Sequence, residues 1–139
     1  CKRPMATTTA PAGYKAVFGE VGFNKYVGPV WQAPDGSDFL FDIREDHLNG
    51  GGALHGGMMM ALADIVMGRT VRDALEDQKA LTISLNCDFI GPSKLGERVR
   101  GTAAITRKTR SIVFIGCELT VESRPIMTAT GIWKILGSD

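Results

Sequence analysis

The chain has 139 residues, 44% hydrophobic and 22% charged, which is one domain's worth of polypeptide with enough apolar side chains to bury a core. Sixteen Lys and Arg face 15 Asp and Glu for a net charge of +1, so the strongly basic balance that marks nucleic-acid or acidic-membrane binding is missing. Cys1, Cys87 and Cys117 are an odd number without Cys-x-x-Cys or Cys/His spacing, which argues against a disulfide framework and a zinc site and for a reducing, cytoplasmic setting.

Residues 1–13, rich in Thr, Ala and Pro, read as a disordered leader with Met5 as the expected native start behind a short scar. A single domain is expected over 14–139. Residues 26–32 and 37–44 are β-prone and flank Pro34-Asp35-Gly36, and Asp-Gly between two such runs is a strong hairpin signal. Asn49-Gly50-Gly51-Gly52 ends the second strand in a loop, because glycine packs poorly and has the most backbone entropy to lose. From Met58 the composition favours a helix that is apolar on nearly every face and therefore central. The one acid of its apolar run 58–67 is Asp64, and that run is about half the ~20 residues a bilayer span needs. Arg69, Arg72, Asp73, Glu76 and Asp77 then bring the last two turns into solvent.

Leu81, Ile83, Leu85, Cys87 and Phe89 alternate with Thr82, Ser84, Asn86 and Asp88, the period of a half-buried strand. Gly91-Pro92 ends it, and 98–106, 112–121 and 127–135 follow as three more strands. The order is β, β, one long helix, then four β. It predicts an α+β fold in which a curled antiparallel sheet of about six strands wraps around the central helix.

The chemistry-bearing stretch runs from His47 through Asn49, His55, Gly56 and Gly57 to Asp64. Glycines at a helix start leave backbone N–H groups bare at the positive end of the dipole, where they can hold an oxyanion or a polarised carbonyl. They can equally serve tight loop packing. A carboxylate ringed by Ala61, Leu62, Ala63, Ile65, Val66 and Met67 needs either a hydrogen-bonding partner or a task. His47 and His55 have no third ligand at metal-binding spacing, so no metal is expected.

Asn49, Leu54-His55-Gly56-Gly57 and Leu62-Ala63-Asp64 together resemble the signature of the hot-dog-fold acyl-CoA thioesterases, in the branch of the phenylacetyl-CoA and medium-to-long-chain acyl-CoA hydrolases. Gly91-Pro92-Ser93-Lys94-Leu95-Gly96 resembles the family's turn after the third strand, and the likeness spans roughly 22–136. The resemblance implies a thioester hydrolase without cofactor, acting on acyl-CoA as a homodimer with shared sites that assembles into a homotetramer. It implies that Gly56 N–H polarises the thioester carbonyl with help from Asn49, and that His55 lies near the leaving sulfur. Asp64 would act as general base or nucleophile, with Thr82 orienting water. Alternation puts Thr82 opposite the Leu81 and Ile83 face, so either the polar face, which Ser84 shares, turns to the site or a bulge intervenes.

Residues 94–110 carry Lys94, Arg98, Arg100, Arg107, Lys108 and Arg110 against Glu97, a stretch suited to phosphates. Gly57, Lys94, Arg107 and Lys108 are the candidate coenzyme A contacts. Two other functions fit the same fold: a hydratase or dehydratase on acyl-CoA or acyl carrier protein, and a non-catalytic acyl-CoA sensor.

Overall fold

The computed structural model describes residues 9–18, 21–76 and 78–137; the first eight residues of the expected leader and Asp77 lie outside the described residues. In chain order the elements are β1 (Lys15–Ala16), α1 (Gly22–Val27), β2 (Trp31–Gln32), β3 (Phe39–Asp42), a 3-10 turn (Glu45–His47), α2 (Gly56–Ala74), β4 (Ala80–Phe89), β5 (Arg98–Lys108), β6 (Ile112–Val121) and β7 (Arg124–Ile135). One antiparallel sheet holds seven strands in the order β1-β2-β3-β5-β6-β7-β4. The α+β hot-dog architecture is as expected, with the two-residue β1 as the added strand.

The hairpin at Asp35-Gly36 forms as the turn chemistry requires, with Gly36 at φ +78° and Trp31 and Gln32 opposite Leu40 and Phe39. Its first strand is shorter than the sequence suggests. Tyr26 belongs to α1, and only Trp31–Gln32 pairs. At the far end, the turn before β7 is Glu122-Ser123, both at positive φ, and Arg124-Pro125 already pair with β6.

Helix α2 lies on the face of β4 to β7 with Leu62, Ala63, Val66, Met67 and Val71 fully buried. Opposite them stand the inward residues of the sheet, among them Val99, Ile115, Leu119, Met127 and Trp133. Glycine sets how closely the layers approach. A Cβ on Gly101 would stand 3.0 Å from Val66 of α2, while within β7 one on Gly131 would stand 2.3 Å from the Trp133 ring two residues along the strand. The helix is not covered all round, as its composition suggested. Gly57 and Met60 are exposed, Ala61, Asp64 and Gly68 only partly buried, and together they form a strip beside edge strand β4.

His47 anchors the segment that leads to α2. It is 2% exposed, packs its ring tilted against Phe41 with centroids 4.6 Å apart, accepts from Arg44 N–H at Nδ1 (3.0 Å) and donates from Nε2 to Val27 O (2.7 Å). The Arg44 guanidinium adds hydrogen bonds to the carbonyls of Gly28 and Tyr26. Burial pushes the His47 pKa below 6.5, against the pull of the Val27 carbonyl.

Two predictions follow from these contacts. Gly131→Ala should cost about 1–3 kcal/mol in chemical denaturation, the usual range for overpacking a core, because the Trp133 ring has to move. For His47 the unfolded chain takes up a proton at a higher pH than the folded chain. Its contribution is therefore complete above 6.5 and is lost as pH falls below that value toward the lowered folded pKa. Melting temperature should drop more steeply between about pH 7.5 and 5.5 in the native protein than in His47→Gln, on the order of the His titration range; parallel curves would remove His47 as the titrating group.

Candidate active site

The loop before α2 is built by Asn49. Its side-chain Oδ1 accepts from Gly51 N–H (2.9 Å) and Ala53 N–H (3.1 Å), and its backbone N–H bonds Ala53 O (2.7 Å). Gly52, at φ +86°, supplies the left-handed turn. This local ring fixes the Asn49 rotamer through its oxygen. The Nδ2 group, with no acceptor among the described residues, is left as a donor. The loop is tied to its surroundings by Leu54 N–H to Ser93 O and His55 N–H to His47 O, both 2.8 Å, so the buried His47 positions the start of α2.

His55 is the N-cap of α2, and its Nδ1 accepts from Gly57 N–H at 2.8 Å. An imidazole that accepts at Nδ1 carries its proton on Nε2, and the exposed ring therefore offers a donor outward. Met59 N–H is satisfied by His55 O. Gly56 N–H, the first of the helix, has no intrahelical acceptor by construction and none elsewhere among the described residues. Gly57 is thus occupied by the cap, whereas Gly56 remains a bare donor at the positive end of the helix dipole.

Asp64 lies on the open strip of α2, and Thr82 Oγ1 donates to its Oδ1 at 2.8 Å. The register of β4 explains how Thr82 gets there. Thr82 pairs with Trp133, Ser84 with Ile132, and the intervening Ile83 is a bulge. The extra residue flips the alternation, so the inward row is Thr82, Leu85, Cys87 and Phe89, each opposite a buried residue of β7 or its immediate neighbour. Leu81 pairs with Lys134 and is 59% exposed. Of the two routes the sequence left open, the bulge is the one present. Ser84 sits on the other face.

The structure also divides the basic stretch. Arg98 forms a two-pronged pair with Asp42 (2.7 and 3.1 Å), Arg100 pairs with Asp38 (3.0 Å), and Arg110 is engaged as well. Lys94, Arg107 and Lys108 have no ion pair among the described residues. Lys94 bridges to Ala53 beside the Asn49 loop. Arg107 and Lys108 are at the other end of β5, where a bulge at Thr106 places Lys108 opposite inward-facing Val113 and Arg107 opposite Phe114. Lys108 consequently shares a cross-strand row and a sheet face with Val113, Trp133 and Thr82, about 14 Å from Thr82 across three strand spacings. Arg107 belongs to the opposite face.

Within one chain the site residues fall into two groups. Asn49, His55 and Gly56 gather at the start of α2. Asp64 and Thr82 gather two turns along, eight residues and about 12 Å from Gly56. Sequence reading missed Phe89 as a site neighbour: a Cβ on Gly56 would stand 3.3 Å from its ring. The signal was hidden because alternation without a bulge assigns Phe89 to the same face as Leu81. A cavity of about 690 Å³, lined by Lys15, Phe18, Gln32, Asp35, Arg69 and Asp73, lies at the C-terminal half of α2 and contains none of these groups. Among the described residues there is no cluster that could hold a metal ion, and no helix is long and apolar enough to cross a membrane.

Comparison with known proteins adds to this geometry. A Caenorhabditis elegans protein named "Putative esterase F42H10.6" is 30% identical over 89 residues, which is 64% of this chain and 53% of that protein; the chain thus matches about half the length of that relative. Mouse acyl-coenzyme A thioesterase 13 is 25% identical over 120 residues, covering 84% of this chain and 86% of the mouse protein. Among solved structures, a point mutant of the phenylacetic acid degradation protein PaaI from Thermus thermophilus is 26% identical with a TM-score of 0.71, over 82% of this chain and 98% of the other. The thioesterase superfamily pattern matches residues 51–127, from the glycine loop through α2 to the start of β7 and more than half of the chain, and the chain belongs to that family.

Proposed function

We propose that the protein hydrolyses acyl-CoA thioesters, with water as co-substrate, at a site completed by two copies of the chain. The observation that carries this reading is the pairing of Thr82 with Asp64 on a helix whose first N–H, at Gly56, is bare. Thr82 holds Oδ1 of the carboxylate, leaving Oδ2 to take a proton from water. The water oxygen adds to the thioester carbon while Gly56 N–H and Asn49 Nδ2 stabilise the charge that develops on the carbonyl oxygen. Collapse breaks the C–S bond while His55 Nε2–H hydrogen-bonds the departing thiolate, and the proton taken up by Asp64 passes to that thiolate through solvent, restoring the carboxylate. The products are the free acid and coenzyme A.

Gly56 and Asp64 of one helix cannot both reach a single carbon, since ~12 Å along the axis far exceeds the ~3.5 Å of a reactive contact. A second helix running antiparallel about a two-fold axis brings the partner's Asp64 to Gly56. Under that relation residue 60 faces itself. Met60 is the exposed apolar residue of the open strip, at 37%, and edge strand β4 beside it leaves Leu81 and Ile83 exposed at 59% and 58%. In such a pair Lys94 enters with Gly56 and Lys108 with the other copy's Asp64, so cations flank the site from both chains and suit the phosphates of coenzyme A. Assembly of two such pairs into a tetramer is part of the same proposal. The hydratase alternative requires a histidine that accepts a proton, and His55 Nδ1 is already taken by Gly57 N–H.

Free thiol released from a panel of acyl-CoA esters tests the activity. Asp64→Asn should reduce turnover at least ~100-fold, the lower range for losing a general base, with the fold retained; near-native turnover would take Asp64 out of the mechanism. Asn49→Ala should lose less, because Gly56 still donates. Mixed and reassociated Asp64→Ala and Asn49→Ala chains should recover activity, toward about half the native value per heterodimer, because one of the two sites is then intact. No recovery, with subunit exchange confirmed by mass, would contradict the shared site.

A further inference from the structure

The inward row of β4 lies beside the candidate site and, beyond Thr82, has no part in the chemistry proposed above. Thr82 sits at Asp64 and Phe89 at Gly56, so β4 runs antiparallel to α2. Leu85 and Cys87 fill the row between them. Phe89 is the unusual member. One edge of its ring rests on Gly56, where an added Cβ would meet Cε1 at 3.3 Å and Cζ at 3.6 Å, and yet the residue is 52% exposed. An aromatic side chain held at one edge and open on the rest presents a rigid apolar surface at low entropic cost.

The two halves of an acyl-CoA differ in what they need. The nucleotide and phosphates call for cations, and, with Arg107 on the opposite face, the unpaired candidates are Lys94 in the loop and Lys108 at the far end of β5. The acyl group calls for apolar surface next to the carbonyl. Leu85, Cys87 and Phe89 offer that surface alongside Gly56, and desolvation raises the Cys87 pKa, so its thiol stays neutral there. Resting on the reading of Gly56 N–H as the carbonyl donor, we propose that Phe89 is a specificity-determining residue whose ring forms the wall against which the first carbons of the acyl group pack. Gly56 is then required twice, as an accessible N–H and as the space in which the ring lies.

Binding of non-hydrolysable thioethers that keep the carbonyl, 2-oxopropyl-CoA and 2-oxodecyl-CoA, tests this by calorimetry on the full chain. Phe89→Ala should weaken 2-oxodecyl-CoA about 10-fold, the scale of losing a hydrophobic pocket contact, and change 2-oxopropyl-CoA less than about 2-fold. Phe89→Leu, which keeps apolar volume, should restore most of the loss, and melting curves report whether each variant is folded. Equal weakening of both thioethers, no change in either, or tighter binding of the long one would overturn the proposal. The two readings separate cleanly. Chain-length-dependent binding without turnover would defeat the hydrolase and keep Phe89, whereas chain-length-independent binding by the native protein would defeat Phe89 whatever the turnover.

Discussion

Helix α2 is continuous over 19 residues, and its rise of about 1.5 Å per residue holds Gly56 and Asp64 about 12 Å apart. Every other feature of the site is arranged around that separation. The start of the helix is presented by a loop that closes on Asn49 and hangs from His47, so the bare N–H of Gly56 is fixed relative to the sheet. The middle of the helix meets β4, where Thr82 holds the carboxylate. Two half-sites on one rod, each organised and each lacking what the other has, make sense when two rods lie antiparallel.

Packing makes the rod an accurate ruler. Gly101 leaves the room that Val66 occupies, so α2 settles close to β5 and cannot roll without opening a void or forcing a clash; Gly131 leaves room for the Trp133 ring of its own strand. Beta-bulges do the fine placement. The one at Ile83 turns Thr82 inward, and the one at Thr106 turns Lys108 to the same face and Arg107 away from it. Both lie next to groups proposed to meet substrate, in keeping with the tendency of bulges to re-aim side chains near active sites.

The fold was legible in the sequence because it rests on local signals, and so was the gathering of candidate groups along α2. An acid in an apolar helix, glycines at that helix's start, the Asp-Gly hairpin and the strand alternation after Gly91 all carry their meaning within a few residues. Side-chain facing was not legible. A bulge inserts one residue without a distinctive residue type, and Leu81, Ile83 and Phe89 look like one face until pairing with β7 divides them. The role of His55 was likewise split. Its Nδ1 serves the helix as a cap, which no spacing rule reveals, and Nε2 is the ring nitrogen left to act in the proposed chemistry. Of the six cations in 94–110, long-range pairing with Asp38 and Asp42 removes Arg100 and Arg98, and Arg110 is engaged as well.

The central claim is the antiparallel pairing of α2 with a second copy about residue 60. Spin labels placed singly on the open strip and the last turn of α2 test it by dipolar distance between copies. For an antiparallel pair the axial offset between a residue and its symmetry mate grows by about 3 Å for each position away from residue 60. A label replacing Met60 should therefore give the shortest distance, and one replacing Asp73 should lie roughly 39 Å from its mate along the axis. Distances that stay constant along the helix, a minimum far from residue 60, or a monomer with full thioesterase activity would contradict the shared site.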